Sequence, residues 1–384
     1  MAGTLTRQDD VAIVGGGLIG CSIALRLAQA GLRVSVFERG DPGCEASSAG
    51  AGMIAPQGES TQLDSFYELC AASRDLYPKF AVEIEDLSGE TVGFCRDGTL
   101  AAAFDDAEAA ELDEVYESQR AAGLVVERLN PDEARRQAPA LSGAVCGALL
   151  MPNDFRVDNE RLMAALTLAC RNAGVAFHLH STVTGFSSRN GRIEALRVRE
   201  GHAESRYAAG TFVLAAGAWS GELARSLGMT IAVTPCRGQL IEFEGLDCPL
   251  ALRAGHHYLV PRSGERLVAG STMEYAGFEK AVTGEGLRSV LEGAVRIAPH
   301  VEKLRFRRAW AGLRPDTPDH LPILGYGELE NLVFATGHFR NGILLTPVTA
   351  KLISELIVGG RPAPQLAPYA PERFQKRLRV TGNR

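Results

Sequence analysis

Gly15, Gly17 and Gly20, in the order G-x-G-x-x-G directly after an apolar run, restrict most what this chain can fold into. Residues 11–14 (VAIV) read as a buried parallel strand, since every position is apolar rather than every second one. Residues 18–30 carry a helical pattern that stops at Gly31, and residues 33–37 form a second strand that delivers Glu38 at its end. Gly15 permits a tight turn, Gly17 leaves backbone that a pyrophosphate can approach, and Gly20 lets helix and strand pack closely. The helix start then offers free N–H groups to phosphates, while the Glu38 carboxylate can accept from a ribose diol. NAD and FAD both satisfy such a site. Glu38 argues against NADP, whose extra phosphate would meet a like charge.

At 384 residues the chain exceeds a typical single core, so two domains are expected. A formal net charge of −6 without a basic tract argues against nucleic acid as a partner. The eight cysteines (Cys21, Cys44, Cys70, Cys95, Cys146, Cys170, Cys236, Cys248) are scattered and form no C-x-x-C pair. That pattern fits reduced thiols, with no zinc site and no disulfide framework. The first ten residues are polar, unlike a secretory signal, and no apolar run is long enough to cross a bilayer. A cytoplasmic protein with no metal and no transmembrane segment is expected.

After Arg39 the chain does not enter a second βαβ unit at once. Residues 46–52 are all small, with no room for a regular core element, as if a bulky cofactor lay along the backbone. Asp158 opens a helix that runs to Cys170 and stops at Gly174. Asn190-Gly191 separates two alternating runs and signals a hairpin. Residues 211–215 read as a strand returning to the nucleotide sheet and entering a tight turn at Gly217. Residues 239–243, 258–260 and 267–270 suggest a mostly antiparallel sheet, and the charge-rich residues 105–122 a solvated helix. The expected fold class is α/β, a Rossmann-like nucleotide domain with a second, mostly antiparallel-sheet domain. The first is assigned residues 1–90, 151–225 and 310–384, the second residues 91–150 and 226–309.

Near the carboxyl end, residues 337–349 (GHFRNGILLTPVT) run an arginine and two glycines into a helix. Thr346 is placed as its N-cap and Pro347 at its first position, with Val348, Leu352, Ile353, Leu356 and Ile357 as its apolar face. Gly342 lets backbone approach a ligand, and the free amides of the helix start suit a group that turns negative during a reaction.

These motifs together resemble the D-amino-acid oxidase family of FAD-dependent amine oxidases over nearly the whole chain. The resemblance is carried by VAIVGGGLIG at 11–20, FER at 37–39, ASSAGAGM at 46–53, LAAGAWS at 214–220, RGQL at 237–240, YLVPR at 258–262, AGSTME at 269–274, WAGLRPDTPDHLPILG at 310–325 and ATGHFRNGILLTP at 335–347. It implies FAD contacts at Leu18, Ile19, Glu38, Arg39, Ser47, Ser48, Ala51, Gly52, Met53, Val183, Gly217, His338, Phe339, Arg340, Asn341, Gly342, Ile343 and Leu344, beside the fingerprint glycines. It implies substrate contacts at Tyr258, Met273, Arg314 and Arg340. Some members of the wider family attach flavin to cysteine; none follows Cys248 here, so non-covalent FAD is expected.

The implied activity is oxidation of glycine, sarcosine or a small D-amino acid by O2, giving hydrogen peroxide, a 2-oxo acid and ammonia, in a homo-oligomer (by resemblance a tetramer). A role in supplying glycine imine for thiamine thiazole synthesis comes with it. The same FAD site would equally serve a D-amino-acid dehydrogenase or a sarcosine-type oxidase. Such chemistry needs a cation for the substrate carboxylate, and the Arg314 guanidinium, with Tyr258 beside it, matches one. Arg340 would help to position the amine, and Met273 would narrow the side-chain end of the pocket. His256 and His257 are neighbours on an extended segment and point to opposite faces, so neither is given a catalytic role. No side chain is required as an acid or base.

Overall fold

In the computed structural model, which describes residues 5–59, 62–246 and 248–374, β1 (Leu5–Val14) and β2 (Val34–Phe37) pair in parallel, with α1 (Leu18–Gln29) between them in sequence. Residues 1–4 and 375–384 of the expected outer segments lie outside the described residues. All four residues of β2 are buried, as a central parallel strand requires. The sheet extends in the order Ile323–Tyr326, Leu332–Thr336, Ala203–Leu214, β1, β2 and Ala176–His178. Every neighbouring pair is parallel except the first. A hairpin, Ser181–Arg189 and Arg192–Glu200, is attached to Ala203–Leu214. At its turn Asn190 has φ +50° and Gly191 φ +75°, the left-handed pair that a two-residue turn demands.

The second sheet has eight strands in the order Arg305–Asp316, Thr234–Glu244, Arg266–Gly270, His257–Arg262, Ala251–Ala254, Thr99–Ala103, Gly147–Met151 and Glu127–Leu129. It is antiparallel apart from Ala251–Ala254 beside Thr99–Ala103. Helix Gly284–Ile297 packs on it, burying Val290, Ala294 and Ile297. The first sheet has its own core, in which α1 meets helices Asn159–Asn172 and Thr346–Gly359. Among the described residues no helix is long and apolar enough to cross a membrane, and no cluster of His, Cys, Asp and Glu could hold a metal ion.

Three local expectations are corrected. Residues 46–52 do contain regular structure, one helical turn at Ala46–Ala49, because small side chains let it fit between larger elements. Arg314 lies on strand Arg305–Asp316. Pro315 is tolerated there because the strand is an edge of its sheet. The same strand runs across residue 310, so its pairing along Thr234–Glu244 carries residues 310–316 with the second sheet. Thr346 is the first residue of its helix rather than the cap. The preceding turn already closes with Leu345 N on Asn341 O at 2.8 Å, and Thr346 Oγ1 donates back to Gly342 O at 2.8 Å.

Candidate functional site

A cleft of about 600 Å³ lies where the parallel strands end, within the size range of cofactor sites. Val14, Phe37, Ala215 and Thr336, at the carboxyl ends of four segments of the first sheet, form one wall, and Gly238, Leu240, Tyr258 and Arg314 of the second sheet the other. A cleft outside the carboxyl ends of parallel strands is where such sheets bind nucleotides.

At the fingerprint, Gly15 has φ +111°, and a Cβ there would stand 2.4 Å from Ala215 O, so only glycine fits. Gly17 caps α1 with no side chain, which leaves the helix start open to the cleft. Glu38 fixes the turn: one carboxylate oxygen accepts from Gly16 N at 2.8 Å and the other from Gly40 N at 3.0 Å. Ser47 Oγ accepts from Leu18 N at 3.0 Å, bringing the small-residue loop onto the same helix start.

Two loops complete the lining, and both are held from behind by their carbonyls. Asn159 Nδ2 donates to Ser47 O at 2.7 Å, Trp310 Nε1 to Ala49 O at 3.0 Å, and Arg262 Nη2 to Gly50 O at 2.7 Å. In the carboxyl-terminal loop, Tyr77 OH donates to Ile343 O at 2.5 Å and Ser73 Oγ to Leu344 O at 2.6 Å. The amides of Gly342, Ile343 and Leu344 have no hydrogen-bond partner among the described residues. Asn341 N is already used by His338 O at 2.9 Å. Three lining residues therefore offer unpaired N–H groups, a cradle for negative charge. A Cβ at Gly342 would meet only His338 Cβ at 3.7 Å, so nothing in the protein itself demands glycine there. His338 is fully buried, with Nε2 3.1 Å from Thr349 Oγ1, and burial pushes its imidazole down to about 3, so it stays neutral.

The opposite wall carries the polar groups. Arg314 Nη1 donates to Thr272 O at 3.1 Å and Nη2 to Ser271 Oγ at 2.7 Å. Both partners are neutral, and no carboxylate lies within ion-pair distance of Arg314 among the described residues. The guanidinium lies over Gly238, where a Cβ would stand 2.3 Å from Nη1. The pairing of Cys236 with Arg314 and of Gly238 with Gly312 makes Gly238 and Arg314 diagonal neighbours on one face. Tyr258 is directly opposite Gly270, and its ring occupies the space a Cβ of Gly270 would need. Two glycines thus make room for two functional side chains. Arg340 also lines the cleft and faces Glu59, 3.7 Å away.

The lining brings together Gly15, Gly17, Leu18, Ile19, Glu38, Arg39, Ser47, Ala51, Gly52, Met53, Val183, Gly217, Tyr258, Arg314 and residues 338–344. It omits three expected residues. Gly20 packs α1 on the turn, where a Cβ would stand 2.0 Å from Gly15 O. Ser48 is used by its backbone, Ser48 N donating to Gly43 O at 3.1 Å. Met273 is 58% exposed and does not reach the cleft, because it lies beyond the end of strand Arg266–Gly270. Neither His256 nor His257 lines it, and the His257 ring lies against Gly293. Gly238, Gly270, Arg262 and Trp310 were hidden inside quoted motifs; cross-strand alternation is the signal that would have shown their roles.

Beneath the turn Pro56–Glu59, Asp154 is wholly buried and accepts from Gln57 N at 3.1 Å and Gly58 N at 2.8 Å. Burial pushes its carboxyl up to about 7, against the pull of those amides and of Arg74. The native state then keeps a proton that the unfolded chain releases. The resulting stability is full below the ordinary value of 3.8 and is lost as pH rises through about 7. The thermal midpoint should therefore fall from about pH 5 to about pH 8, and Asp154→Asn should flatten that part of the slope. Thermal scans across that range check it; an Asn variant with the full slope would exclude Asp154 as the source.

A parallel nucleotide sheet with an open helix start, facing an antiparallel sheet that presents an uncompensated arginine, defines a two-sheet dinucleotide-cofactor enzyme. A family model described as FAD dependent oxidoreductase (DAO) matches residues 10–356, and the chain belongs to that family. It is an FAD-dependent oxidoreductase. The chain is 34% identical over 379 residues to a glycine oxidase of Geobacillus kaustophilus, a match covering 96% of this chain and 98% of that protein. It is also 34% identical over 387 residues to the bifunctional protein ThiO/ThiG of Trichormus variabilis. That match covers 97% of this chain but 56% of the longer relative. The crystal structure of glycine oxidase from Geobacillus kaustophilus superposes with a TM-score of 0.90 at 34% identity, covering 95% of this chain and 99% of that one.

Proposed function

We propose that this chain oxidises glycine, and with it sarcosine and small D-amino acids such as D-alanine, to the imine, with O2 reduced to hydrogen peroxide. The imine then hydrolyses to the 2-oxo acid and ammonia. Arg314 carries the reading: a guanidinium aimed into the cleft, with only neutral partners among the described residues, is built to receive an anionic ligand group. Its planar fork matches a carboxylate, and the Tyr258 hydroxyl is placed on the same wall to add a donor. Arg340, set against Glu59, orients the amine end. The glycine oxidase relatives support glycine as substrate.

FAD, when bound, takes two electrons from the substrate Cα and passes them to oxygen. The residues present fit that group. The open start of α1 and Glu38 would hold its pyrophosphate and ribose, and the unpaired amides of residues 342–344 would stabilise negative charge on its ring. No cysteine lines the cleft, which supports non-covalent attachment. Two domains built on the two sheets, a cytoplasmic location, a homo-oligomeric (tetrameric) state and a role in thiamine synthesis complete the reading.

Peroxide release under air with glycine, sarcosine and D-alanine tests it. Turnover with an artificial acceptor but no peroxide would instead assign a dehydrogenase. Gly238→Ala pushes the Arg314 guanidinium out of place, so KM for glycine should rise about tenfold or more with flavin content unchanged. An unaltered KM would separate Arg314 from substrate binding.

A further inference from the structure

Residues 271–283 join strand Arg266–Gly270 to helix Gly284–Ile297, and most of their surface is exposed. The root is fastened to the second sheet. Arg237 N donates to Glu274 O at 2.7 Å, Glu274 N donates to Arg237 O at 2.9 Å, and the two side chains form an ion pair. Tyr275 OH donates to Asp316 Oδ2 at 2.6 Å, and Thr283 N donates to Gln239 Oε1 at 2.8 Å. Ser271 and Thr272, at the same root, are the two partners of Arg314.

The tip lands on the other wall. Phe278 stacks on Trp219 with ring centroids 5.5 Å apart, and the Arg39 guanidinium lies 3.6 Å from the Trp219 ring centroid. Lys280 Nζ is 2.8 Å from Glu45 Oε2, and Arg39 Nη2 is 2.5 Å from Glu45 Oε1. Arg39, Glu45 and Trp219 all line the cleft, next to Glu38.

From this geometry we infer that residues 271–283 are a clasp that slows FAD release, with Phe278 and Lys280 positioning Arg39, Trp219 and Glu45 at the nucleotide end. The inference rests on FAD occupying the cleft. The two walls come from different sheets, so a tip that ties them together hinders the cofactor's exit at the nucleotide end. An aromatic contact and a cation–aromatic contact at a partly exposed site each correspond to a severalfold change in a rate or binding constant. The Lys280–Glu45–Arg39 chain is exposed enough for salt to weaken it.

The test follows recovery of FAD fluorescence as the loaded protein is diluted, at low and high salt, for wild type, Phe278→Ala, Lys280→Ala and Lys280→Arg. Both alanine variants should release FAD about three- to tenfold faster at low salt. High salt should speed release from wild type but not from Lys280→Ala, and Lys280→Arg should restore the wild-type rate. Alanine variants that release FAD at the wild-type rate overturn the clasp alone. Equal losses of thermal stability with and without FAD would also overturn it, by showing a structural role only. Wild-type protein that takes up no FAD overturns the cofactor reading, and the clasp with it.

Discussion

Arg314→Ala is expected to lower kcat/KM for glycine by about a hundredfold or more, with the flavin content of the purified protein unchanged. The guanidinium spends two of its N–H groups on Thr272 O and Ser271 Oγ, which leaves further donors of its five for a ligand. Arg340 cannot stand in, because it already faces Glu59. A substrate carboxylate entering the cleft without Arg314 would be desolvated with no cation opposite, the costliest kind of unpaired charge. The fingerprint lies on the other wall, so retention of FAD should be untouched. Near-normal turnover of glycine in the variant would remove the carboxylate clamp from the account.

Gly17→Val has the second large expected effect, loss of FAD retention without loss of the fold. Gly17 has φ −81° and ψ −177°, extended backbone that any residue adopts, so the substitution does not strain the chain. In the protein a Cβ there would press only on Ser47 Oγ, 2.9 Å away at the tip of a side chain that can turn. What it blocks is the approach of a pyrophosphate to the start of α1. Gly15 is different: valine there would collide with Ala215 O and disrupt the turn itself. Gly17→Val should purify folded and colourless, as circular dichroism and an absorbance spectrum together report. A folded variant with full flavin content would contradict a pyrophosphate at this position.

The nucleotide half of the molecule was legible in sequence because its signals are local. A fully apolar strand, three glycines at fixed spacing and an acid at the next strand end each depend on a few adjacent residues, as does the Asn190-Gly191 turn. The 24-residue helix Ser65–Ser88 went unrecognised, although Asp64 caps it, since Pro78 interrupts its pattern. Its Ser73 and Tyr77 hold the carbonyls of Leu344 and Ile343, so part of the site's support was hidden with it. Met273 shows the limit more sharply. Its place follows from where a strand ends and a long connection turns away, which no spacing in the sequence records. Arg314 drew attention as a lone cation in a quoted motif, but its neutral partners and the glycine beneath it became visible only once two strands were in register.

The most direct measurement is to mix the FAD-loaded protein anaerobically with glycine and follow the visible absorbance of the oxidised flavin. The account predicts that the band bleaches with glycine, returns on admitting air with release of hydrogen peroxide, and persists with Arg314→Ala at the same glycine concentration. A band that glycine, sarcosine and D-alanine all leave unchanged in the wild-type protein would contradict it.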